Sequence, residues 1–225
     1  MTEALSFLDP INSLPGFRAG WIGRIAGIEV DADRDRTLSR LRPAHESLVR
    51  REFGCDRWWR AEQVHGDGIA RVPGAATMVA GDGLPVVPGV DGLITSAPGE
   101  TLGIYVADCG ALWLADRGTG ASGLLHSGKK GTELGILTAA IERMGLEFGT
   151  RAADLVVVLG PCIRPPHYEV DFAAEISRQA ERAGVGDFHD AGEDTACDLT
   201  RHYSYRVEKG KTGRMLALIH SEKNS

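Results

Sequence analysis

The chain has 225 residues, enough for one sizeable hydrophobic core. Its 43% hydrophobic and 25% charged residues are those of an ordered globular protein and argue against disorder. The net charge of −6, without a Lys/Arg run, argues against nucleic acid or an anionic membrane as partner, because both demand a basic face.

At the N-terminus, MTEALSFLDPINSLPGF places an early acid and prolines where a secretory leader has a basic and then an apolar stretch. No apolar run approaches the ~20 residues of a membrane span. A cytoplasmic protein is expected. The next segment, Thr37 to Phe53, reads as a helix with Leu38, Leu41, Leu48, Val49 and Phe53 near one face. Gly54 should stop it, and Pro43 should break or kink it. RWWRAEQVHG suits a strand running into His65 and a turn at Gly66. IARV and GLITS read as further strands, separated by a Gly/Pro-rich loop from Gly81 to Gly92.

In the centre, TLGIYVADCGALWLAD predicts two strands flanking Ala107-Asp108-Cys109, and ASGLLHSG a third that ends at His126. GTELGILTAAIERMG places Leu134, Leu137, Ile141 and Met144 on one helical face, with Gly145 as its stop. ADLVVVLGP reads as a strand buried on both faces. Phe172, Ile176, Ala180 and Ala183 mark a helix ended by Gly184. SYRVEKGKTGR reads as a turn between two strands, of which RMLALI is the second. Strand runs mixed with a few helices, without strict alternation, predict an α+β fold of mixed sheets in a single domain, residues 1–225.

Four widely spaced cysteines, Cys55, Cys109, Cys162 and Cys197, form no C-x-x-C pair. In a cytoplasmic protein that predicts free thiols, any special one being a ligand or a nucleophile. His65, Cys109 and His126 all fall at predicted element ends, where a rigid scaffold presents side chains to a cleft. Two imidazoles and a thiolate suit zinc, and three protein ligands leave an open, catalytic position. Such a metal lowers the pKa of bound water toward ~7. Separations of 44 and 17 positions match no short metal motif. On spacing alone Cys109 equally reads as a buried small hydrophobe.

HSGKKG sets Lys129 and Lys130 between glycines just before a predicted helix, a place attractive to an anion, or else a pair of solvated lysines. In GPCIRPPHYEV, Cys162 is either a nucleophile or packed beneath a proline-fixed loop, Arg164 is a candidate for an anionic substrate, and His167 reads as a plain surface residue. Arg206 and Arg214 read as structural.

EQVHG, DGLITSAPG, YVADCGALWLAD, LLHSGKKGT, LGPCIRPPHYEV and SYRVEKGKTGRMLALI, in that order, resemble the polyphenol oxidase/laccase-domain family. The resemblance runs from about Gln63 to Ile219, is patchy from Asp171 to Thr200 and is thin before Arg60, where Arg24 in WIGRIAG is the one correspondence. It implies a zinc-dependent purine nucleoside phosphorylase with adenosine deaminase activity. The family's ligands are the His of Q-V-H-G, the Cys of A-D-C and the His of H-A-G-W-R-G, which are His65, Cys109 and His126 here. Where the family has Trp-Arg, this chain has Lys129-Lys130, losing an arginine fork for phosphate and an indole for stacking a purine.

The resemblance implies a nucleoside and phosphate as small-molecule partners. Lys130 and Lys129 would bind phosphate, zinc-activated water would serve deamination, Asp108 would handle protons or hold a structural hydrogen bond, and Gln63 would orient substrate or His65. Two other readings stand beside it. Cys109 and His126 could form a metal-free hydrolase or deamidase dyad, or the chain could bind nucleosides without turnover. Copper chemistry of the true laccase kind needs many more than the seven histidines here. No apolar surface stripe is evident, so a monomer is expected.

Overall fold

Alternate residues of the longest strands point into different cores, so both sheets are covered on both faces. The computed structural model describes residues 6–79 and 83–222. Along the chain come α1 (Asp9–Asn12), β1 (Phe17–Ile22), α2 (Arg34–Phe53), β2 (Trp59–Ala61), β3 (Ile69–Arg71), β4 (Met78–Val79), β5 (Pro85–Val87) and β6 (Gly92–Thr95). The longer strands β7 (Thr101–Val106), β8 (Gly110–Asp116) and β9 (Ser122–Ser127) lead into α3 (Lys129–Leu134) and α4 (Ile136–Phe148). Then follow β10 (Leu155–Leu159), α5 (Phe172–Ala183), β11 (Asp187–Asp190) and β12 (Met215–Ser221).

One six-stranded sheet has the order β1-β12-β7-β2-β5-β4, the other β11-β10-β8-β9-β6-β3. Both are mixed: β2 is parallel to β5 and β7 while β12 is antiparallel to its neighbours, and β10 is parallel to β11 but antiparallel to β8. Ala217 and Ile219 of β12 meet Ala111, Trp113, Val156 and Val158 in the core between the sheets. On the outer side, Leu216 and Leu218 pack on Leu38, Val49 and Phe53 of α2. Leu112, Leu114, Val157 and Leu159 of the second sheet pack on α4 and α5. The molecule is thus a four-layer sandwich, helix, sheet, sheet, helices, as an α+β reading expects. Between its sheets the Trp113 indole N–H donates to the Leu218 carbonyl at 2.7 Å, which satisfies a fully buried donor.

Several local readings change. Pro43 does not interrupt α2, which runs on from its Asp33 cap to Gly54. The carbonyl that Pro43 leaves without an N–H belongs to Ser39, and both residues are exposed, so water can replace the lost bond. Gly135, with φ 81°, splits the predicted helix after Leu134 into α3 and α4, which leaves Leu134 half exposed. Gly145 lies inside α4, and Gly149 ends it. Strand β5 occupies part of the expected loop; Gly81 lies outside the described residues. The segment before β12 is a series of turns rather than a strand. No helix among the described residues is long and apolar enough to cross a membrane.

Candidate active site

The site lies where the chain crosses from one sheet to the other. Residues 62–68 carry it from β2 to β3, and Ala107-Asp108-Cys109 carry it from β7 to β8. The end of β9 meets both crossings. His65, Cys109 and His126 come together there, with one potential ligand atom from each, all within 4.8 Å of one another. The two imidazoles stand edge to face, with centroids 4.8 Å apart. Gln63, His65 and Asp108 all hold left-handed backbone, at φ 65°, 62° and 78°. Lys209 (φ 52°) is the fourth such non-glycine among the described residues, and all four line one cavity. Strain gathered in this way is typical of functional sites.

Asp91 organises the candidate ligands. Its fully buried carboxylate accepts the backbone N–H of Val64 (3.1 Å), His65 (2.9 Å) and Gly66 (2.7 Å) and lies 2.7 Å from His126 Nδ1. Burial by itself would raise the Asp91 carboxyl, but these donors, His126 foremost, hold it below the usual range. With Nδ1 engaged, the other nitrogen of His126 serves Cys109. Burial likewise opposes a Cys109 thiolate, yet the charge and hydrogen bonds of His126, with those of His65, bring the thiol down to about 6. Burial also disfavours an imidazolium at His126, and Cys109 and Asp91 reverse that, raising it to about 9. Without a metal these shifts favour thiolate at Cys109 and imidazolium at His126. Gly128 is required behind it, because a Cβ there would come within 2.5 Å of Cys109 Sγ.

These side chains line a cavity of about 860 Å³. A larger groove, about 1060 Å³, runs beside β1 and holds none of them. Six cations line the cavity, Arg34, Lys129, Lys130, Arg206, Lys209 and Arg214, against one carboxylate, Asp108. On a chain of net charge −6 that is a concentrated positive field. Burial, then the nearby Arg34 charge, disfavours protonated Arg214, and neither arginine forms an ion pair among the described residues. An anion between them would relieve both. Tyr105, Tyr168, Phe172 and Tyr205 supply aromatic lining in place of an indole.

Other expected site residues differ in how free they are. Lys129 and Lys130 are exposed in the first turn of α3. The Gln63 amide donates to the Tyr105 carbonyl (2.5 Å) and accepts its N–H (3.0 Å), so it splices the crossing to β7. Asp108 accepts from Thr195 Oγ1 (2.8 Å) and the Arg206 N–H (2.7 Å), which commits both its oxygens to the scaffold. Arg164 does not line the cavity: its guanidinium grips both oxygens of Asp190. Cys162 is fully buried, and burial pushes its thiol up to about 12, which removes it as a nucleophile. Sequence reading missed Asp91, the first residue of DGLITSAPG, and it missed Arg34 and Lys209 as lining groups.

A sequence profile of the family described as "Multi-copper polyphenol oxidoreductase laccase" matches residues 31–175 and 170–222. The chain belongs to this family. A purine nucleoside phosphorylase of Deinococcus radiodurans is 33% identical to this laccase-family chain, covering 90% of it and 86% of the relative. The purine nucleoside phosphorylase YlmD of Geobacillus stearothermophilus is 30% identical over 86% of the chain and 81% of its own length. The crystal structure of YlmD superposes with a TM-score of 0.78 at 26% identity, covering 95% of this chain and 94% of that one. The Neisseria meningitidis protein NMB0706 shares the fold at a TM-score of 0.75 and 19% identity, covering 93% of this chain and 96% of that one.

Proposed function

We propose that this chain, as one domain and a monomer, is a zinc-dependent purine nucleoside phosphorylase that also deaminates adenosine. The observation that carries the reading is the seat of Cys109: its sulfur takes hydrogen bonds from two imidazoles in a cavity lined by six cations. His65, Cys109 and His126 fit zinc, since they offer two nitrogens and a thiolate, and Asp91 behind His126 is the carboxylate–histidine support that such sites use. When bound, zinc supplies Lewis acidity beside the substrate. Copper is the lesser candidate, because one Cys and two His provide no multicentre cluster.

Lys130 and Lys129, with Arg34 and Arg214, hold phosphate by charge and orient an oxygen toward the ribose anomeric carbon. The bond from that carbon to the purine nitrogen then breaks, and the base leaves with the bonding pair. Tyr168 and Tyr205 offer faces against which the purine stacks. Asp108 positions Thr195 and Arg206 rather than moving the proton itself. Names of the relatives and the donor set support this reading. Its test is incubation of zinc-loaded protein with adenosine and inosine, with and without phosphate. Phosphate-dependent release of adenine or hypoxanthine is expected, and a full panel without product would overturn it.

The thiolate–imidazolium pair of metal-free protein favours a second reading, a Cys109–His126 dyad for hydrolysis or deamidation. Zinc separates the two. An activity that rises on chelation belongs to the dyad, and one that disappears belongs to the metal.

A further inference from the structure

A second cluster of soft donors lies outside the cavity. His167, Asp194 and Cys197 place one potential ligand atom each within 4.8 Å of one another. They come from two loops, one after β10 and one after β11. The Asp194 carboxylate lies 2.8 Å from His167 Nδ1, and Cys197 Sγ lies 3.9 Å from the same nitrogen.

Both loops are built to hold this juxtaposition. The Cys162 N–H donates to the Glu193 carbonyl and the Thr195 N–H to the Cys162 carbonyl, each at 3.2 Å, which stitches the loops together. Beyond the stitch the chain turns sharply: the Ala196 N–H donates to Asp194 Oδ1 (2.9 Å) and the Cys197 N–H to the Asp194 carbonyl (3.1 Å). That turn brings side chains three positions apart to the same side. Asp194 Oδ1 is engaged by the turn, so Oδ2 is left to His167.

We propose that His167, Asp194 and Cys197 form a second divalent-cation site of zinc type, which clamps these two loops on the outside of the cavity. Imidazole, thiolate and carboxylate together select zinc over magnesium or calcium, which prefer oxygen alone. Tetrahedral zinc bonds set nitrogen–oxygen and nitrogen–sulfur edges at about 3.3 and 3.6 Å. The observed 2.8 and 3.9 Å bracket those edges, and the remaining oxygen–sulfur pair lies within 4.8 Å, so rotation of exposed side chains suffices to complete the site. His167 and Cys197 are exposed, which leaves the fourth position to water and opens the site to metal from solvent. Occupancy would pin His167 and with it Tyr168, which lines the cavity.

The test strips the full-length protein with chelator under a phosphine reductant, reloads it with zinc and measures zinc by elemental analysis. Wild type should hold two zinc per chain, Cys109→Ala and Cys197→Ala one each, and the double variant none. In Cys109→Ala protein, cobalt should give a thiolate charge-transfer band that the added Cys197→Ala substitution abolishes. Cys197 is exposed, so adding Cys197→Ala should leave the circular dichroism spectrum of Cys109→Ala protein unchanged, and Cys197→Ala alone should lose one zinc from an otherwise native chain. A Cys109→Ala protein that holds no zinc and gives no cobalt–thiolate band would overturn the second site. If the cavity site itself fails, Cys109→Ala changes nothing while Cys197→Ala still removes zinc, so the two failures remain distinct.

Discussion

The carboxylate of Asp91 binds His126 from behind at 2.7 Å while it accepts the N–H of His65 at 2.9 Å, so one buried group sets two of the three candidate ligands. Asp91→Asn keeps the shape but replaces an acceptor by a donor, leaving an N–H or the imidazole unserved. Zinc affinity, measured by competition with a chromophoric chelator, should fall by about 10- to 100-fold. An unchanged affinity would show that Asp91 only holds the loop.

Gly128→Ala brings a methyl within 2.5 Å of Cys109 Sγ. Zinc content and activity should collapse together. Gly145→Ala is its control, since a Cβ there meets only the Thr150 carbonyl at 3.4 Å inside α4. That change should raise stability by roughly 0.5–1 kcal/mol, about 1–4 °C in Tm by calorimetry.

Lys130→Ala removes one of the six cations that line the cavity and that the proposed function assigns to phosphate. A charge-assisted hydrogen bond is worth about 1.5 kcal/mol, so KM for phosphate should rise about tenfold with the nucleoside KM little changed. Lys130→Arg should restore or improve it, because arginine binds phosphate with a fork. Steady-state kinetics with phosphate varied decide the matter.

In metal-free protein, iodoacetamide should label Cys109 with a rate half-maximal near pH 6, where its thiolate forms. Cys162, pushed up to about 12 by burial, should stay unlabelled at neutral pH. Peptide mapping of the alkylated protein reads both. Labelling of Cys109 only above about pH 8, the ordinary thiol range, would mean that the imidazoles do not charge it.

His45, fully buried beneath Tyr105 with both ring nitrogens unpaired among the described residues, is held down to about 4 by burial and then by Arg60. The unfolded chain takes up that proton near pH 6.5, so the folded state binds fewer protons between pH 6.5 and about 4. Stability is therefore full above pH 6.5 and falls as pH drops through that window, by on the order of 3 kcal/mol. His45→Phe should flatten this slope in urea titrations at pH 7 and 4.5.

The strands of the centre were legible because β8, β10 and β12 are apolar on both faces, and the structure covers both faces. Glycine positions ended α2 and α5 correctly. Leu134 misled because Gly135, compatible with a helix in sequence, adopts φ 81° and turns the next helix away. Strands β1 and β11 escaped notice: β1 mixes Arg18 and Gly20 with apolar residues, and β11 (DFHD) is polar and only partly buried. His65, Cys109 and His126 were singled out as donors, but their meeting depends on two crossings between sheets, which no local pattern encodes. Asp91 was invisible for the same reason, being distant in sequence from both His65 and His126. Arg164 looked free because its partner Asp190 lies across the β10–β11 pairing.

Strand β12 lies between β1 and β7, although 193 residues or so separate β1 from β12 in a chain read from one end. During synthesis β1 emerges early and has no partner in its sheet until residues 215–221 leave the ribosome. Pairing at such sequence separation is slow and leaves an unpaired strand edge exposed meanwhile. The sheet that carries the Gln63 and Cys109 crossings therefore closes last, and nascent chains stalled short of Met215 should lean on chaperones.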